Sequence, residues 1–190
     1  DEPPYPEAVS PLSPMLCVLS VLLSLDEREP GYVSERITRL QSPDPGYNTL
    51  FGIRAVVGHP DNGFLTPEQY FRMDALDDGK RAGLLLPLLD RLIDELRDFP
   101  GDAEAEQARA WATAARPSDW SFGPFRGLGL RGFQHLRQLL GANTLVPTTE
   151  VVAFVAKVVG RELEATEAVH LLERAAGRLR YDLREFPSGL

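Results

Sequence analysis

Apolar positions recur three and four residues apart along most of the chain, the spacing of one face of a helix rather than of a strand. Residues 80–99 are the clearest case. Leu84, Leu85, Leu88, Leu89, Leu92, Ile93 and Leu96 form a broad apolar face there, with Asp90, Arg91, Asp94, Glu95 and Arg97 opposite. Pro87 falls inside this stretch, where its ring should kink the helix or mark its true start. Ser13-Pro14 reads as the N-cap and first position of an apolar helix reaching about Leu25. Glu29-Pro30-Gly31 breaks it, and Val33, Ile37 and Leu40 then share one face of a helix near 32–40. Loops are expected at 42–46 and 58–63, a short helix over 47–57, and a helix start at Thr66-Pro67-Glu68. An Ala/Glu-rich helix over 102–115 precedes a connector, 116–124, and helices follow at about 131–140, 148–159 and 163–178. Neither a strand series nor an internal repeat is visible, so the class is all-α.

Composition narrows the picture. The 190 residues, 43% of them hydrophobic, suit one domain of two helical lobes over 13–190. Residues 1–12 hold four prolines and read as a loose N-terminal arm. The net charge of −8 speaks against general affinity for nucleic acid. The charge is uneven, however. No acidic residue lies between Asp119 and Glu150, where Arg126, Arg131 and Arg137 make a local island of +3. Cys17 is the one cysteine, so an intrachain disulfide and a four-cysteine iron–sulfur cluster or zinc site are excluded. His59, His135 and His170 have no ligand spacing, and no metal site is expected. The apolar run Met15–Leu25 is too short to span a bilayer and no basic segment precedes it. A cytoplasmic protein that does not engage membranes is therefore expected. No Walker motif, nucleophile elbow or zinc signature is present.

The stretch 125–160 carries the candidate chemistry. Gly127 and Gly129 flank Leu128, and two glycines so placed let the backbone turn sharply and expose its N–H groups. Leu136, Leu139 and Leu140 then recur at helical spacing. This is the layout of a helix-hairpin-helix, which holds a nucleic-acid phosphate on amides at a helix N-terminus. Arg126 and Arg131 stand beside it as phosphate-facing cations.

The helical order and this motif resemble the helix-hairpin-helix DNA glycosylase superfamily, the endonuclease III-like group, over residues 13–185. That family reads roughly Leu-Pro-Gly-Val-Gly-x-Lys-Thr-Ala, where this chain has Phe125-Arg-Gly-Leu-Gly-Leu-Arg-Gly-Phe133. The family continues with a helix, a glycine and Asp-Thr-His-Val. Here Gly141 follows the helix, Thr149-Glu150-Val151-Val152 fills that slot, and Val159-Gly160 closes at the same distance. Val21-Leu-Leu-Ser24 is similar to the family's Leu-Leu-Ser-x-Gln segment.

The departures shape what the resemblance implies. Arg131 stands where bifunctional members carry the lysine that forms a Schiff base. A guanidinium stays protonated and cannot serve as that nucleophile, so lyase activity is not expected. Thr149 stands where active members carry an Asp, and loss of such a general base costs about 10²–10⁴-fold. Glu150 is the nearest substitute, about 100° around the helix. It equally suits a first-turn acid complementing the helix dipole. The family's wedge glutamine is also missing, with Leu25 and Asp26 in its neighbourhood. Trp111, Trp120, Phe122 and Phe125 would either stack an extruded base or pack between lobes.

The implied protein binds double-stranded DNA, damaged or distorted, and belongs to base-excision repair. If active, it is a monofunctional glycosylase hydrolysing an N-glycosidic bond with Glu150 and Thr149, without an iron–sulfur cluster or other cofactor. Arg126, Gly127, Leu128, Gly129 and Arg131 are the expected DNA contacts. The alternative is a catalytically degenerate module that binds DNA structure through the hairpin, or a protein through its acidic surface. A third reading keeps the fold alone, with nucleic acid irrelevant.

Overall fold

A computed structural model describes residues 13–25, 35, 37–38, 48–57 and 79–185. Every regular element among them is helical, as the periodicity requires. The α-helices are α1 (Pro14–Ser24), α2 (Leu50–Val56), α3 (Gly79–Leu96), α4 (Glu104–Ala114), α5 (Gly129–Leu139), α6 (Thr149–Val159) and α7 (Ala165–Leu179). The 3-10 turns η1 (Pro117–Ser121) and η2 (Gly123–Leu128) join α4 to α5, and η3 (Leu183–Glu185) follows α7. Glu35, Ile37 and Thr38 are also helical. The expected arm at 1–12, the break at 29–31, the loops at 42–46 and 58–63, and the helix start at Thr66 lie outside the described residues. No helix among the described residues is long and apolar enough to cross a membrane.

Helix α1 is apolar on nearly every side and buried almost throughout, the signature of a central helix. The Ser13 hydroxyl caps it by accepting the Leu16 N–H at 3.3 Å. Around it pack α2, α3, α4 and α5. The periodic leucines of α3 face inward as expected, with Leu85, Leu88, Leu89, Leu92 and Leu96 buried. Pro87 neither starts nor ends α3, which runs on through it. Pro87 and Gly83 are both exposed, so the Gly83 carbonyl that loses its helical donor faces water. Between α2 and α4, both carboxylate oxygens of Glu104 accept the Leu50 N–H, at 2.9 and 3.0 Å.

The segment read as a plain connector is two 3-10 turns with a proline in each first turn. Phe125 of η2 stacks with Trp111 of α4 and Phe133 of α5, with ring centroids 5.5 and 5.2 Å apart. These aromatic contacts fix where η2 hands over to α5.

The buried apolar residues fall into two clusters. The larger centres on α1 and α3 and includes Phe133 and Leu136 of α5. The smaller holds Leu145, Val151, Val169, Ala176 and Leu183, with Leu172 against it. A polar seam joins them. Arg137 of α5 is 3% exposed and ion-paired at 2.7 Å to Glu173 of α7. Its guanidinium also donates to the Ala112 carbonyl at 3.0 Å and to Gln134 Oε1 at 2.8 Å. The buried Thr144 hydroxyl lies 2.6 Å from the same Glu173 oxygen. A second link is Trp120 Nε1, which donates to the Thr166 hydroxyl at 3.3 Å. Arg137 therefore does not belong to the cationic island: its charge is spent inside the protein.

Candidate functional site

The Gly-Leu-Gly triplet forms the step from η2 into α5. Its two glycines are there for different reasons. Gly129 has φ 65° and ψ 173°, a region open to glycine and strained for any other residue. Gly127 has no positive φ. A Cβ there would lie 2.3 Å from Leu84 Cδ2, so Gly127 gives α3 room to pack. One expected hinge is thus a packing glycine. Gly132, one turn further, is likewise in close contact, a Cβ meeting Leu25 Cδ2 at 3.1 Å.

Helix α5 begins without a side-chain cap. The Gly129 amide is taken by the Arg126 carbonyl, and the amides that follow it in the first turn have no intrahelical acceptor. Arg126 and Arg131 are exposed and have no ion pair among the described residues. This pair, not three arginines, is the cationic surface around the turn.

A cleft of about 920 Å³ opens beside it, between the start of α5, the end of α1 and the approach to α6. Its polar side chains are Ser24, Arg131, His135, Thr148 and Thr149, and no carboxylate is among the described lining residues. Leu25, Leu128, Leu130, Val146 and Val152 supply apolar wall. The first residues of α5, α6 and α7 (Gly129, Thr149 and Ala165) all line the cleft. Three helix N-termini and one arginine thus face the opening, opposite the C-terminal end of α1.

Thr148 is the residue that starts α6. Its hydroxyl accepts the Val151 N–H at 3.3 Å, which makes it the N-cap. Thr149 and Glu150 are the first two helical residues, so the helix begins one residue inside the expected 148–159. Glu150 is exposed and does not line the cleft. Hydrogen bonds from its own backbone N–H and from the Thr148 hydroxyl hold its carboxyl below the usual range. That is the behaviour of an acid in a helix first turn.

The structure thus brings Leu128, Gly129, Arg131 and Thr149 together in the cleft and leaves Arg126, Gly127 and Glu150 outside it. Trp111, Trp120, Phe122 and Phe125 do not line it either. Trp111 and Phe125 are core, Trp120 serves the seam, and Phe122 is exposed.

Sequence reasoning passed over His135 and Ser24 as a pair. Ser24 Oγ lies 3.4 Å from His135 Nδ1, across 111 residues of chain, and both line the cleft. Burial holds the His135 imidazole below its usual pKa, so the ring is neutral at pH 7. The periodicity that put His135 on α5 could not say that α1 ends opposite it. No family model, characterised protein or solved structure matches this chain.

Proposed function

We propose that this chain is a DNA-binding protein of the base-excision-repair type that recognises distorted or abasic duplex. In this reading a phosphate sits on the amides at the start of α5, between Arg126 and Arg131. The observation that carries it is the α5 N-terminus, which has no side-chain cap, is flanked by two arginines without an ion pair among the described residues, and opens on the cleft. The helix-hairpin-helix, endonuclease III-like arrangement of 125–160 is part of the same proposal. The cleft walls lack a carboxylate among the described residues, which favours recognition of DNA structure over base excision.

Fluorescence anisotropy with intact, mismatched and abasic duplexes at two salt concentrations tests this. Tighter binding to the abasic duplex is expected. Arg131→Glu should weaken all three, and loss of each phosphate contact should lower the salt slope by about 0.9. No binding at low salt would end the reading.

Monofunctional base hydrolysis is the second reading. Glu150 follows directly on the cleft residue Thr149 and accepts from the Thr148 hydroxyl. Base release from a damaged duplex that is lost in Glu150→Gln would establish it over the binding role alone.

A further inference from the structure

The cleft contains one side chain whose hydrogen-bonding role its own neighbours determine. Ser24 ends α1, and its hydroxyl donates to the Val21 carbonyl at 2.9 Å. That hydroxyl has one proton, and this bond uses it. Toward His135, 3.4 Å away, Ser24 Oγ can then only accept. A neutral imidazole carries one N–H, so the proton sits on Nδ1 and Nε2 bears a lone pair. Nε2 has no protein partner and is not sealed from solvent: the one unpartnered buried side-chain nitrogen or oxygen among the described residues is Gln134 Nε2. Among the described polar side chains of the cleft, Ser24 spends its proton on Val21 and Thr148 spends its own on Glu150. Arg131 donates only, and Thr148 already accepts from Val151. His135 Nε2 is therefore an open ring acceptor in a largely apolar cavity, with Arg131 as a donor-only neighbour on the same lining.

We propose that His135 is the acceptor with which the cleft takes up an unstacked nucleobase, selecting an edge that presents an N–H donor. This rests on the DNA-binding reading above. Ser24 is a positioning residue: it fixes the tautomer and touches no ligand. An exocyclic amine meets Nε2 with its N–H, whereas an edge bearing only ring nitrogens or carbonyls would set two lone pairs against each other.

The test uses two duplexes of one sequence with a single bulged nucleotide, adenine in one and unsubstituted purine in the other. Purine has the same ring and lacks the amine. The intact chain should bind the adenine bulge about 3- to 10-fold more tightly, the worth of one hydrogen bond. His135→Leu should erase that preference, so that the two bulges bind alike. Ser24→Ala should reduce it by freeing the tautomer. Arg131→Glu should weaken both duplexes alike. Long-range ¹H–¹⁵N spectra of the histidine rings give a readout independent of any variant. His135 Nε2 should resonate as an unprotonated nitrogen and shift on adding the adenine-bulge duplex. Equal affinity for the two bulges, with the Arg131 effect intact, would overturn the role of His135 alone. So would an Nε2–H tautomer. Failure of both duplexes to bind would remove the DNA reading, and this proposal with it.

Discussion

Replacing Arg137 by methionine should destabilise the protein by about 3 kcal/mol, although a substitution on a positively charged helix surface would ordinarily cost very little. Methionine keeps much of the side-chain volume and removes the charge. Three hydrogen bonds disappear, to the Ala112 carbonyl, Gln134 Oε1 and Glu173 Oε1. At about 1 kcal/mol each, or somewhat more for the charged one, they amount to about 3–4 kcal/mol. An independent route gives a similar figure. Removing one partner of a buried ion pair costs about 3–5 kcal/mol, and the 17% exposure of the Glu173 side chain places this pair at the lower end. Gln134 Oε1 keeps only the Thr144 hydroxyl, 2.9 Å away, as a donor. Urea unfolding followed by circular dichroism would measure the loss. The double variant Arg137→Met with Glu173→Leu should recover part of it, because an apolar pair no longer strands a carboxylate. A loss below about 1 kcal/mol in the single variant would refute the seam as described, as would losses that simply add in the double. The same Arg137→Met protein should keep the salt dependence of DNA binding unchanged, since Arg137 faces no solvent.

Three further outcomes follow from single residues. Gly129→Ala should cost about 1–3 kcal/mol by thermal or urea unfolding from backbone strain alone, since nothing crowds its Cβ, and should weaken duplex binding; an unchanged stability would contradict the φ of 65°. Burial raises the Glu104 carboxyl, so the folded chain holds that proton to higher pH than the unfolded chain, and this contribution to stability is lost as pH rises from about 4.3 through the raised folded value. Glu104→Gln should accordingly gain on the native protein between pH 4 and pH 7, and a gain in the opposite direction would reverse the sign of the burial effect. Cys17 is fully buried, with its thiol pushed up to about 12, so a thiol reagent at pH 8 should label it only as fast as α1 becomes exposed; immediate labelling of the native protein would place α1 at the surface.

The helices that pattern alone revealed are those whose apolar residues share a continuous face. Helix α3 is one, and Gly160 closes α6 in the left-handed conformation that its position after Val159 implied. What could not be read depended on distant partners or on a single residue of register. Arg137 has the local pattern of a surface arginine, and only Glu173 and the Ala112 carbonyl make it a core residue. Gly127 and Gly129 look equivalent in the sequence; Leu84, more than forty residues earlier, separates their roles. Helix α6 starts at Thr149, one residue inside the expected 148–159, and Glu150 faces solvent in its first turn. Ser24 was visible within Val21-Leu-Leu-Ser24 and His135 within α5, yet their meeting is a property of how α1 crosses α5.

The unequal sizes of the two apolar clusters divide the molecule's motions. The five buried apolar side chains of the smaller cluster, with Val155 and Ala168 also buried on α6 and α7, are few to keep α6, α7 and η3 ordered by themselves, so that unit depends on the larger core through Arg137 and Trp120. Its subglobal opening then lies well below the free energy of complete unfolding, making it a separate foldon. The far wall of the cleft, built on α6 and the start of α7, can part while the wall made by α1 and α5 stays in place. Entry of a bulky ligand would require only that cheaper motion, and a ligand bridging the two walls would raise the protection of α6 amides more than those of α1.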